Sequence, residues 1–215
     1  MSDAQRVSLI YGYDPLCGWC YGFIPAMRAL RQARPDLPVE VLPGGLSTGT
    51  PPKRYRDMAE YIRGAEQHLE RITGRKPSDA FHALITGPAD PDGGSERPSH
   101  AVLQMKEIAP ARSLDFAHLI QEAHFGQGRD LNDPQTYDAI CEAHDLPKID
   151  ANAAMRADET DPLCAGSFAR ARALGITSFP TTLVMRGDVP VAAIQSVYDP
   201  QEFVYAVDEA MARAA

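Results

Sequence analysis

The sequence predicts an α/β fold, and three patterns carry that reading. Apolar strand runs stand near both ends, a helical stretch without strand signals fills the middle, and a pair of cysteines sits where the first strand gives way to the first helix. With 215 residues, 44% of them hydrophobic, the chain can bury a substantial core, and its composition does not suggest disorder.

Residues 7–10 form an apolar run that reads as the first strand. From Gly18 to Ala33, Phe23, Ile24, Met27 and Leu30 recur at helical spacing, and Pro35 and Pro38 close that helix. Residues 39–42 alternate as a second strand and lead into a turn-rich exit over 43–52. A β-α-β unit is thus complete by about residue 43.

The middle reads as helical throughout. Residues 53–73 carry Tyr55, Met58, Ile62, Leu69 and Ile72 at helical spacing, and 99–108 and 112–125 follow, the latter with Leu114, Phe116, Leu119 and Ile120. The Gly- and Pro-rich segment 87–98 is a loop by composition, with Ser99 as the N-cap of the helix after it. Asp133-Pro134, Asp161-Pro162 and Asp199-Pro200 each match a capping residue followed by proline at the first helical position. The helix opened by Asp161 stops at Gly175; residues 182–186, a Gly187-Asp188 turn and residues 190–194 then form a hairpin whose second strand begins at Pro190. A last helix over 200–213 shows Phe203, Val207 and Met211 at helical spacing. The resulting order is β-α-β, about a hundred helical residues by pattern, then α-β-β-α. That is a thioredoxin-like fold with an inserted all-helical domain: residues 1–50 and 160–215 form a discontinuous core domain, and 51–159 the insertion.

The chemistry concentrates at Cys17-Gly18-Trp19-Cys20. A helix N-terminus presents unpaired N–H groups and a partial positive charge, which favour a thiolate, so Cys17 is expected to be reactive at neutral pH. Cys20 follows about one turn later, in reach of a mixed disulfide on Cys17. Gly18 and Trp19 lie between the sulfurs, where they can tune thiolate stability. A zinc site would need two more ligands, and no second CxxC accompanies this one; haem attachment would need histidine where Tyr21 stands. No metal and no cofactor beyond the dithiol itself are therefore expected.

Other residues read more plainly. Cys141 and Cys164 lie beside Ile140 and Leu163 and are expected as buried core thiols. His68, His82, His100, His118, His124 and His144 are scattered, with surface or packing roles as the default; His100 is the one that could approach and tune the dithiol. Asp14 and Tyr13 are nearer in sequence, and a carboxylate beside a thiolate would raise its pKa. Tyr11, Trp19, Tyr21 and Phe179 could form an apolar rim, or all but Trp19 could be core. The net charge of −8 argues against nucleic acid or an anionic membrane as partner, and no stretch is apolar for long enough to span a bilayer. Residues 1–7 carry no apolar leader, so a cytoplasmic location is expected, in which a CxxC is more often catalytic or metal-binding than structural.

Residues 13–22, with the CGWC at 17–20, the Gly44-Gly45-Leu46 after the second strand, and Gly175-Ile-Thr-Ser-Phe-Pro180-Thr181 before the hairpin together resemble the DsbA family of thiol–disulfide oxidoreductases. Within it the FrnE-like branch of predicted protein-disulfide isomerases is the nearest likeness. The resemblance implies that Pro180 is a cis-proline facing the dithiol and that Phe179 offers backbone hydrogen bonds, with Gly18, Trp19, Phe179, Pro180 and Thr181 forming the substrate-binding surface. Phe179 is larger than is usual in such relatives and is expected either to narrow that surface or to alter the redox poise. The implied activity is disulfide exchange, Cys17 acting as nucleophile and Cys20 resolving, on protein or small-molecule thiols and disulfides, with glutathione the candidate co-substrate. Reduction or isomerisation is expected in the cytoplasm; whether the chain is a monomer or homodimer stays open. Two other readings remain. One is a kappa-type glutathione transferase or isomerase, whose members usually carry serine in place of the first cysteine. The other is a redox-sensing binding module.

Overall fold

The computed structural model describes residues 7–214, so the leader expectation for residues 1–6 lies outside the described residues. Strand β1 (Val7–Tyr13), helix α1 (Gly18–Ala33) and strand β2 (Val39–Pro43) form the expected β-α-β unit. Strands β3 (Thr181–Arg186) and β4 (Val189–Gln195) follow much later and complete a four-stranded sheet in the order β2-β1-β3-β4. β1 runs parallel to β2 and antiparallel to β3, with Tyr11 opposite Val41 on one side and Thr182 on the other.

Alternation along β1 decides which helices cover which face. Leu9, Tyr11 and Tyr13 pack with Phe23, Met27 and Leu30 of α1 and with Phe203 and Val207 of α9 (Pro200–Ala214). Ile10 points the other way and joins Leu42, Leu183 and Ala171, the last from α8 (Pro162–Ala173).

Between the two halves lie α2 (Tyr55–Thr73), α3 (Asp79–Thr86), α4 (Glu96–Ile108), α5 (Ser113–Gln121), a π-turn at Glu122–Gly126, α6 (Pro134–Ala143) and α7 (Ala151–Met155). Ala101, Val102 and Met105 of α4, Phe116 and Ile120 of α5 and Tyr137 of α6 belong to the same buried cluster as Leu9 and Tyr11. The Tyr13 hydroxyl donates to Ala117 O at 2.8 Å, stitching strand to inserted helix.

Several boundaries differ from the sequence reading. Helix α3 has no place in it; Ser78 caps this helix by accepting from Phe81 N at 3.2 Å. Ser99 is not an N-cap: α4 begins three residues earlier, and the Ser99 hydroxyl is buried inside it without a hydrogen-bond partner. The helix expected over 112–125 ends at Gln121 and passes into the π-turn. Pro190 is the second residue of β4, not the first, and lies on the sheet's edge strand, where a missing N–H costs no ladder bond. Asp133, Asp161 and Asp199 all accept from first-turn amides, as their Asp-Pro pairs predict.

Candidate active site

β1 ends at Tyr13, and a turn closed by Cys17 N donating to Asp14 O at 3.1 Å delivers the chain to α1. Cys17 is the N-cap of that helix, in extended conformation, with no side-chain cap and no acid in the first turn. Its sulfur lies 3.5 Å from Phe179 O, and the Phe179–Pro180 peptide bond is cis. The structure thus brings Cys17, Phe179 and Pro180 together from opposite ends of the chain.

The two thiols are unequal. Cys17 keeps 4% of its surface, open on an apolar cavity, whereas Cys20 is fully buried. Burial, then contact with Cys17, pushes the Cys20 thiol well above its ordinary range. Asp14 is also fully buried, and burial raises its carboxyl to about 6 although Leu46 N, Leu16 N and Ser95 Oγ donate to it at 2.7, 2.9 and 3.1 Å. On Cys20, Asp14 acts both ways: its backbone draws the thiol down, and its charge, by a smaller amount, pushes it up.

Two recesses flank the dithiol. One, of about 360 Å³, runs from Cys17 and Trp19 between Leu46, Ile62, Leu69, Phe81 and Phe179. The other, of about 370 Å³, lies between Trp19, His68, Phe179, Pro180 and Tyr198. Trp19 is half-buried between them, its ring 5.3 Å from both His68 and Tyr198. Gly18 borders the first recess, while Thr181, at the start of β3, is buried with its hydroxyl donating to Ser178 O at 2.8 Å. Gly44 follows β2 where a Cβ would overlap the Phe179 ring, which gives the Gly44-Gly45 pair a steric reason.

Of the apolar rim, Trp19 and Phe179 line the recesses, but Tyr11 and Tyr21 are core. Tyr21 lies under the Arg75 guanidinium at 3.9 Å and beside Phe125. His100 takes Asp161 as its partner at 3.0 Å, so a role at the dithiol finds no support in its hydrogen bonding. Cys141 and Cys164 are buried free thiols, as expected. No motif singles out His68, Tyr198 or Gln121 for the site, whereas Leu46 belongs to the Gly44-Gly45-Leu46 motif; only the apolar periodicity around 55–73 hints that this helix walls it.

Fold and site together define a thioredoxin-fold protein carrying a paired dithiol at the start of its first helix. The chain belongs to the DSBA-like thioredoxin domain family, whose model matches residues 10–207, and that is a family of DsbA-like thiol–disulfide oxidoreductases. Among solved structures, it is similar to the cytosolic disulfide reductase DsbM from Pseudomonas aeruginosa, at 26% identity over 97% of this chain and 100% of that one, with a TM-score of 0.76. A structure of DsbM from Pseudomonas aeruginosa with GSH matches at 24% identity over 95% and 99% of the two chains, with a TM-score of 0.70. A candidate protein disulfide isomerase from Nitrosomonas europaea shares the fold at 23% identity over 97% and 98%, with a TM-score of 0.75. A comparison with curated protein sequences finds no match. No helix among the described residues is long and apolar enough to cross a membrane.

Proposed function

We propose that this chain is a disulfide reductase of the DsbA type with some isomerase capacity, working in the cytoplasm and using glutathione as co-substrate. The carrying observation is the inequality of the two thiols: Cys17 caps the helix and opens on a recess, while Cys20 is sealed behind it. Cys17 as thiolate attacks one sulfur of a substrate R–S–S–R′, forming Cys17–S–S–R and releasing R′S⁻, which takes up a proton. Cys20 then loses its proton, attacks the Cys17 sulfur and releases RS⁻, leaving a Cys17–Cys20 disulfide. Two equivalents of thiol, for which glutathione is the proposed donor, return the enzyme to the dithiol and leave as disulfide.

Gly18, Trp19, Phe179, Pro180 and Thr181 form the substrate surface in this proposal; the first four are supported by lining the two recesses, and Thr181 enters as the residue that follows Pro180 at the start of β3. The domain division at residues 51 and 159 is part of the same reading, supported by every strand of the sheet lying outside that interval. The likeness to a cytosolic reductase favours cytoplasm and reduction. Partners are thiols and disulfides, protein or small.

The test is Cys20→Ser. It is expected to accumulate a covalent adduct on Cys17 when given reduced enzyme and an insulin or glutathione disulfide, while wild type turns over. If Cys20→Ser cycles at the wild-type rate and retains nothing, the assignment fails. Equilibration of the wild-type dithiol with glutathione buffers then fixes the favoured direction.

A further inference from the structure

The turn that presents Cys17 is gripped from the helical block. Gln121, the last residue of α5, is fully buried, and its side-chain amide donates to Asp14 O at 3.1 Å and Cys17 O at 3.2 Å. Those carbonyls are the two ends of the turn. Each already accepts once: Asp14 O from Cys17 N and Cys17 O from Tyr21 N, both at 3.1 Å. One NH₂ group therefore spans the turn and the first hydrogen bond of α1 together. Its own carbonyl oxygen is buried without a partner, and the chain leaves Gln121 directly into the π-turn at Glu122–Gly126. An isolated buried acceptor is costly, and a side chain serving only to pack could be apolar here. Irregular turns of this kind are frequent beside functional sites.

We propose that Gln121 is a positioning residue for the nucleophile: from the inserted helices it fixes the direction of the Asp14–Cys17 turn, so that the free amides at the start of α1 stay aimed at the Cys17 sulfur. This rests on Cys17 being the attacking thiol. Losing the two bonds lets the turn rotate against the helix and weakens the alignment that favours the thiolate. One neutral hydrogen bond corresponds to about threefold to tenfold in an equilibrium, so the expected change is of that size.

The experiment uses the full chain and Gln121→Met, which keeps length and volume but has no donor. The rate of Cys17 alkylation by iodoacetamide is followed from pH 4 to 9, alongside the equilibrium with glutathione. Alkylation near neutral pH is expected to slow by about threefold to tenfold, with the midpoint displaced upward and the disulfide form more populated. Val207→Ala, in the core between α1 and α9, supplies a packing loss away from the site and should leave the alkylation profile in place. A Gln121→Met profile identical to wild type overturns the proposal, whatever happens to melting temperature. Should the variant not fold, the wild-type Gln121 side-chain amide signals carry the test by NMR. They are expected to be slow in exchange and to shift between dithiol and disulfide forms, and signals that exchange fast or do not move would overturn it. Alkylation is read without turnover, so absence of disulfide-reductase activity would count against the proposed function and not against this one.

Discussion

The tetrapeptide Asp-Pro-Leu-Cys occurs twice, at 14–17 and 161–164, each time at the start of a helix, and the two copies have opposite fates. At 161–164 the aspartate is the N-cap: Asp161 Oδ1 accepts from Cys164 N at 2.9 Å, and the helix begins at Pro162. The Cys164 thiol is buried, donates to Glu96 O at 3.2 Å, and is pushed far up by burial and then by the Asp161 charge. At 14–17 the aspartate still accepts from Leu16 N but is held as well by Leu46 N beyond β2 and by Ser95 at the start of α4; here the helix begins only at Gly18 and the cysteine is its cap. Local sequence sets the helix start to within three residues. What reaches the carboxylate from elsewhere in the fold decides whether the cysteine faces free amides or a neutralised cap.

The largest effect should come from the thiols themselves. Cys17→Ser is expected to reduce insulin turnover to background, whereas Cys164→Ser, which keeps a donor for Glu96 O, should leave it at the wild-type rate; equal losses would erase the distinction. The aspartates come next. The Asp14 carboxyl binds its proton more tightly folded, at about 6, than in the ordinary state near 3.8. Its contribution therefore favours the fold below about pH 4 and is lost as pH rises through 6. Denaturation of Asp14→Asn should show this as a difference: its deficit against wild type is greatest at pH 4 and shrinks by on the order of 3 kcal/mol by pH 7. A deficit independent of pH would mean that Asp14 titrates normally.

Buried His118 and His124, held by burial at about 3 and 4, act in the opposite sense in both proteins and cancel in that subtraction. Asp161→Ala should cost about 1 kcal/mol for the helix cap and about 1 kcal/mol more for His100, left without its partner, measured by urea unfolding. Last, Gly18→Asp places an acid in the first turn of α1, where a Cβ would meet only the Leu69 side chain, at an ordinary 3.6 Å. Alkylation of Cys17 should slow by about twofold to fivefold, the size of a charge–helix interaction at an accessible terminus; no change would mean that the helix field does not govern this sulfur.

The sheet, its flanking helices and the dithiol at a strand-to-helix junction were legible because each depends on short-range pattern. Asp133, Asp161 and Asp199 announced their helices, and the Gly187-Asp188 turn its hairpin. Asp14-Pro15 shows where such reading stops, since the same dipeptide is diverted by Leu46 and Ser95, residues 32 and 81 positions away. Ser99 misled for a related reason: α4 starts at Glu96 against the loop after β2, where Ser47 N meets Ser95 Oγ at 3.0 Å. Of the site, Cys17, Cys20, Trp19, Phe179 and Pro180 stood out by motif. Gln121, His68 and Tyr198 did not, because their neighbourhood is made only when the inserted helices and the end of β4 close over α1.

The contact between the Cys17 sulfur and Phe179 O carries one last implication for the proposed reaction. Only the neutral thiol can donate to that carbonyl; once Cys17 ionises the sulfur has no proton to give and Phe179 O is released. In the proposed reaction the step that makes the nucleophile therefore also frees an acceptor for an extended polypeptide arriving alongside Pro180.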